Sequence, residues 1–162
     1  MNPSTNHAPL QLRLSQEQVT AFLHDAFPAE VRAKLGTVDM LSLNHLRMRL
    51  DPDESMLRSG GIVSGPTLMG LVDVAAYAII AAHHGPEAMA VTNALNINFL
   101  RSCKFQTIFA DARLLKLGRR LATVDVRIWQ DSKDDIIAQS TVGYALPQQS
   151  TPSSPKNCRP EN

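Results

Sequence analysis

The stretch Gly60-Gly61-Ile62-Val63-Ser64-Gly65-Pro66-Thr67-Leu68-Met69-Gly70-Leu71-Val72-Asp73 decides the fold. It is a glycine-rich turn running into a helix that is apolar on almost every face, and between Pro66 and Ala82 the only charged side chain is Asp73. A helix apolar all round is a buried core helix. A carboxylate carried into such surroundings is costly unless something pairs with it or uses it. Ser64 is a good N-cap, and Pro66 suits the first helical position. Gly65 lets backbone N–H groups come close to a ligand at the positive end of the helix. An acid two turns inside a helix whose N-terminus offers free amides is a pairing suited to catalysis.

Length and composition agree with one globular domain. The 162 residues, 44% hydrophobic and 19% charged, suffice for a single core. A net charge of +1 argues against bulk binding to nucleic acid or to an anionic membrane, and leaves room for a small anion held by local arginines. Cys103 and Cys158 give neither a disulfide framework nor metal-ligand spacing, so no metal is expected and the thiols point to a reducing compartment. Met1-Asn2-Pro3-Ser4-Thr5-Asn6-His7 lacks the pattern of a signal peptide. The helix after Pro66, interrupted by Gly70 and Asp73, is a poor membrane span. The cytoplasm is the expected location.

Residues 1 to about 14 read as a flexible lead-in. Ser15-Gln16-Glu17-Gln18 opens a short amphipathic helix, apolar at Val19, Phe22, Leu23 and Ala26. Pro28 ends it, and another turn or two runs to Leu35 with Gly36 as the stop. Thr37 to Leu50 reads as one strand, Leu46, Met48 and Leu50 alternating with His45, Arg47 and Arg49. Residues 54 to about 63 read as an irregular loop, and the central helix spans about Pro66 to His84, ending at Gly85-Pro86. Four strands follow. The first carries Met89, Val91, Leu95, Ile97 and Phe99 on one face and Thr92, Asn96 and Asn98 on the other. The others are Thr107–Leu117, Leu121–Trp129 and Ile136–Leu146, joined by hairpin links at Gly118-Arg119-Arg120 and Asp131–Asp135. One helix, one strand before it and four after it imply an α+β domain, its antiparallel sheet curled around the helix. The expected organisation is 1–36 as lead-in and short helices, 37–147 as the domain, and 148–162 as a disordered tail.

The ordered set Ser64-Gly65-Pro66 with Leu71-Val72-Asp73, then Val91 to Leu100, then Leu114 to Leu121, resembles the hotdog-fold acyl-CoA thioesterases. Within them it is similar to the branch of the phenylacetate-pathway thioesterase, over roughly Thr37 to Pro147. That branch carries His-Gly-Gly with the acid of a Leu-x-Asp nine residues after the His. Here Ser64 stands in place of the His, and Arg58, six residues earlier, in place of a polar water-binding side chain. The resemblance implies a hotdog fold, a homodimer or homotetramer with active sites between subunits, no cofactor, and an acyl-CoA substrate. It implies that Asp73 acts as general base or nucleophile, and that the Gly65 amide, with Ser64 beside it, meets the oxyanion. Thr92 would assist the attacking water, with Asn96 near it. Arg119 and Arg120, joined by Arg101 and Lys104, are the cations able to meet the phosphates of coenzyme A. Met69, Tyr77 and Ile80 would line an apolar pocket suited to a medium-chain or aromatic acyl group.

Each assignment has a plainer counterpart. Asp73 could be a core carboxylate paired with a buried donor, the Ser64 turn only a helix cap, Thr92 only a strand former, and Arg119 and Arg120 solvated hairpin charges. His83 and His84 read as structural residues at the helix end, where a positive group favours the dipole, and Tyr77 and Trp129 as packing residues. Two other functions stay open. One is a hydratase or dehydratase, which needs a His that the helix start lacks; the other is a non-catalytic acyl-CoA-binding protein, which Asp73 argues against and Ser64 argues for.

Overall fold

Ser15 opens the first helix of the computed structural model, which describes residues 9–147, with a full capping box. Its hydroxyl accepts from the Gln18 amide, and the Gln18 side chain accepts from the Ser15 amide. This helix, α1 (Gln16–Ala26), turns Val19 and Leu23 into the core, and one further turn, α2 (Ala29–Arg32), follows Pro28. The first eight residues of the lead-in and the tail expected at 148–162 lie outside the described residues.

The stretch expected as a single strand over 37–50 is two. Strands β1 (Thr37–Ser42) and β2 (His45–Leu50) pair as an antiparallel hairpin. Between them stand Leu43 and Asn44, and Asn44 adopts the left-handed conformation (φ 51°) that its short polar side chain tolerates. The segment expected to be irregular holds a 3₁₀ turn (Glu54–Met56) and a small hairpin of β3 (Leu57–Arg58) with β4 (Ile62–Val63). The central helix α3 (Gly65–His84) starts one residue earlier than expected and stops at Gly85, whose φ of 113° no other residue type adopts readily. Strands β5 (Val91–Phe99), β6 (Ile108–Leu117), β7 (Leu121–Trp129) and β8 (Ala138–Ala145) follow where four runs were read.

The six main strands form one antiparallel sheet in the order β1-β2-β6-β7-β8-β5, and α3 packs across β2 and β5 to β8. This is the helix wrapped by a curved sheet that the sequence implied. Alternation supplies the inner face: Leu46, Met48 and Leu50 from β2, Ala110 and Ala112 from β6, Val124, Val126 and Ile128 from β7, Val142 from β8. Irregular registers at Asp39, Asn93 and Leu115 help the sheet to bend. On the outer face Asp111 gathers three donors, His45 and Arg47 at 2.8 Å and Trp129 at 2.6 Å. Burial opposes ionisation of Asp111, but these hydrogen bonds outweigh it and hold the carboxyl below the usual range. Helix α3 is long and apolar enough to cross a membrane, with mean hydropathy 1.6, yet 67% of that segment is buried here as the core helix.

The two edges of the sheet differ. Along β1 the Gln16 side chain of α1 donates to the Val38 and Asp39 carbonyls at 3.3 and 3.4 Å, beside an irregular register. Along β5 no strand of the described chain pairs with the outer edge. Exposed Val91 and Phe99, with Leu100 just beyond the strand, lie along it.

His83 is structural, as expected, but it fixes the β1–β2 turn as a buried ring rather than serving as a cation at the helix end. Its Nδ1 faces the Ile79 carbonyl at 2.9 Å and its Nε2 faces the Asn44 amide at 3.0 Å, so the ring is neutral, donating through Nδ1 and accepting at Nε2. Burial lowers its affinity for a proton below the ordinary value of 6.5, against a smaller opposing effect of the Ile79 bond. Because the folded group protonates at lower pH than the unfolded one, its contribution to stability is complete above about pH 6.5 and is lost as pH falls toward the folded value. We predict that urea midpoints fall between about pH 7 and about pH 5, and that His83→Gln, less stable throughout, shows a shallower fall. Equal pH slopes in the two proteins would show that other groups carry the dependence.

Candidate active site

Most of α3 is sealed: Leu68, Leu71, Val72 and the run Val74 to His83 are buried. One stripe is not. Pro66, Met69, Gly70 and Asp73 recur at helical spacing and stay partly or fully exposed, Met69 by 40%. A Cβ added at Gly70 would meet nothing within 4 Å. One turn further on, Tyr77 closes the stripe: its ring lies 5.1 Å from Phe22, 6.0 Å from Phe27 and 6.0 Å from Tyr144, and its hydroxyl donates to the Ala88 carbonyl. Tyr77 and the fully buried Ile80 therefore sit in the core, while Met69 faces out of it.

Asp73 lies at the closed end of this stripe. One carboxylate oxygen, Oδ1, accepts from Thr92 at 2.7 Å and from Tyr144 at 2.7 Å, and the Tyr144 hydroxyl also lies 3.2 Å from the Asp73 carbonyl. The other oxygen, Oδ2, accepts no hydrogen bond among the described residues. Burial pushes the Tyr144 phenol far above its ordinary range, so it remains a protonated donor.

Thr92 reaches Asp73 because β5 is bulged. The register shifts between Thr92 and Ala94, so Thr92, opposite Tyr144, faces inward together with Leu95 and Ile97. Asn96 faces outward opposite Thr141, as does Val91 opposite Ala145. Strict alternation had put Thr92 and Asn96 on one face and Val91 with Leu95; the extra residue, Asn93, reverses that. Room for the bulge comes from Gly143, where a Cβ would stand 2.6 Å from the Asn93 side-chain oxygen.

At the other end of the stripe, the helix opens at Gly65. Among the described residues neither the Gly65 nor the Thr67 amide has a hydrogen-bond partner, Pro66 has no N–H, and the first helical bond runs from the Leu68 amide to the Ser64 carbonyl at 3.3 Å. These free amides carry the positive end of the helix dipole. Gly65 is helical directly before a proline, a position where Pro66 Cδ would crowd a Cβ. The Phe99 ring lies above it, 3.4 Å from where that Cβ would be. Ser64 makes no side-chain cap bond; its hydroxyl pairs with that of Thr67 at 2.9 Å, which in turn reaches the Met56 carbonyl at 3.4 Å. If Thr67 donates to Met56, Ser64 donates to Thr67, and no proton of Ser64 is left for a ligand.

Within one chain, Gly65 and Asp73 do not meet on one carbonyl. Eight residues of helix separate them by about 12 Å along the axis, whereas donor and attacking group must each lie near 3 Å from the reacting atoms.

The candidate cations divide into two sets. Arg101 donates to the Ile136 carbonyl at 2.7 Å and pairs with Asp135, and Lys104 pairs with Asp131, so both belong to the 131–136 loop. Arg119 and Arg120 are exposed on the β6–β7 turn and make no ion pair among the described residues. Cys103 is buried, which pushes its thiol up to about 11 and leaves it inert.

Residues 60–137 match the family model of the thioesterase superfamily. The chain is similar to a candidate thioesterase of Silicibacter sp. TM1040, with 36% identity over 85% of this chain and 95% of that one and a TM-score of 0.76. It is similar in fold to a phenylacetic acid degradation-related protein of Ralstonia eutropha JMP134, at 24% identity, 78% and 96% coverage and a TM-score of 0.68. A candidate esterase of Saccharolobus solfataricus is 27% identical over 128 residues, 78% of this chain and 76% of its own length.

The geometry at Ser64 makes a direct prediction. Ser64→Ala removes a hydroxyl–hydroxyl bond and no cap bond, so the expected loss of stability is about 1 kcal/mol or less. A denaturant midpoint shift equivalent to about 2 kcal/mol, the upper range for deleting an N-cap, would show that the hydroxyl caps the helix.

Proposed function

Since the chain belongs to the thioesterase superfamily, we propose that it is a hydrolase acting on acyl-CoA, releasing a medium-chain or aromatic acid and free coenzyme A, in the cytoplasm and as a homodimer or a pair of dimers. The observation that carries this reading is the open stripe of α3, with free amides at Gly65 and a carboxylate held by two hydroxyls at Asp73.

The separation of those two groups along α3 asks for a second subunit. Gly65 lies under Phe99, and Asp73 lies under Thr92, near opposite ends of the unpaired edge strand β5. An antiparallel pairing of β5 with its copy, centred between Leu95 and Asn96, sets Phe99 opposite the partner's Thr92. The Gly65 amide of one subunit then shares a cleft with the partner's Asp73, and a twofold axis makes two such clefts. Pairing would also cover Phe99 and Leu100, which are 50% and 53% exposed in the single chain.

In that cleft the thioester carbonyl accepts from the Gly65 amide at the positive end of α3. Water attacks the carbonyl carbon and passes a proton to the Asp73 carboxylate. Collapse of the tetrahedral oxyanion breaks the carbon–sulfur bond, and the departing thiolate takes that proton from Asp73. The exposed Met69 supplies apolar surface for the acyl chain, and Arg119 and Arg120 meet the phosphates of coenzyme A. One observation favours the alternative of a non-catalytic acyl-CoA-binding protein: the Ser64 hydroxyl is committed to Thr67.

Three measurements test the reading. Asp73→Asn, nearly isosteric, should lower kcat for acyl-CoA hydrolysis by on the order of 10²-fold or more; near-normal turnover by the folded variant would make the carboxylate structural. Co-expressing Asp73→Asn subunits with Gly65→Pro subunits should restore roughly a quarter of normal activity, because random twofold pairing leaves one intact cleft in half of the dimers. No recovery in a proven heterodimer would place both groups in one subunit's site. Replacing both Arg119 and Arg120 by Ala should raise KM for acyl-CoA and spare short pantetheine thioesters; equal losses for both would assign the arginines to folding or assembly.

A further inference from the structure

Asp73 is gripped asymmetrically. Thr92 and Tyr144 are direct partners across β5 and β8, so their side chains emerge side by side from the inner face of the sheet. Both hydroxyls converge on the same carboxylate oxygen, each at 2.7 Å. The Tyr144 hydroxyl, 3.2 Å from the backbone carbonyl of Asp73 as well, ties the side chain to its own helix and limits rotation about the Cα–Cβ bond. The Tyr144 ring is itself fixed, 97% buried and stacked 6.0 Å from Tyr77, so its hydroxyl is presented from a rigid support.

We propose that Tyr144 is a positioning residue for the hydrolysis assigned above: with Thr92 it anchors Oδ1 of Asp73 and leaves Oδ2 as the oxygen that takes the water proton. The inference rests on the reading of Asp73 as the base. Two hydrogen bonds given to one oxygen hold it in place and leave the other without a partner among the described residues, at the part-exposed position where Asp73 continues the stripe of Met69 and Gly70. Thr92 on this account spends its proton on the acid rather than on water. Its hydroxyl can still accept a hydrogen bond from the water, which suits a water about to be deprotonated.

Tyr144→Phe tests this because it removes the hydroxyl and keeps the ring. The expected result is a fall in kcat of about tenfold, the share of one hydrogen bond to a charged group, with KM for acyl-CoA within about twofold and the fold intact by circular dichroism. Thr92→Val should lower kcat by a similar factor with KM little changed, and Thr92→Ser, which restores a hydroxyl, should recover most of what Thr92→Val loses. In an Asp73→Asn background, Tyr144→Phe should lower the residual rate no further. An unchanged kcat in both Tyr144→Phe and Thr92→Val, no recovery in Thr92→Ser, or a loss that simply adds to that of Asp73→Asn, would overturn the proposal and leave Tyr144 as core packing. A fully active Asp73→Asn protein would instead remove the reading on which it rests. Should Tyr144→Phe fail to fold, Thr92→Val and Thr92→Ser decide between the same outcomes.

Discussion

The constraint behind the whole molecule is that α3 is apolar around its circumference and cannot be left in water. A flat sheet would cover only one side of it, so the strands curl, with bulges at Asp39, Asn93 and Leu115 taking up the bend. Helix α1 covers another part through Val19, Leu23 and the contact of Phe22 with Tyr77. What remains is the narrow stripe from Pro66 to Asp73. The stripe is thus a by-product of how far one chain can reach around its own core helix. Its polar features are the two that such a helix can offer: unbonded amides at its start and one carboxylate along its length.

The architecture could be read from the sequence because it rests on local patterns. The all-apolar run after Ser64 and the alternation in β6, β7 and β8 each survive without knowledge of their neighbours. Two features escaped for physical reasons. The turn at Leu43-Asn44 lies inside an alternating pattern that continues on both sides, and only the tolerance of Asn for positive φ marks it. The bulge at Asn93 adds one residue to a period of two, which reverses the faces of everything before it and so misassigned the neighbours of Thr92.

Tyr144 escaped for a different reason. It lies 71 residues from Asp73, and the two meet only because the crossover puts β8 between β7 and β5. A signal was present nonetheless. Tyr144 falls on the inward-facing positions of β8 together with Val142, and a tyrosine aimed at an apolar core needs somewhere for its hydroxyl. The central helix offers one charged group to meet it. On the function proposed above, the plainer account of Asp73, a core acid paired with a buried donor, and the catalytic one describe two different oxygens of the same carboxylate.

The unequal edges of the sheet carry a consequence for association at high concentration. Strands that can add to both sides of a sheet propagate, as fibrils do. Here the Gln16 side chain occupies the Val38 and Asp39 carbonyls of β1, while no strand of the described chain pairs with the outer edge of β5. Growth by strand addition is therefore opposed after one step, because joining two bare edges leaves outermost the edges that Gln16 partly covers. Replacing Gln16 by an apolar residue would remove that obstacle, turning a self-limiting contact into one that can continue end to end.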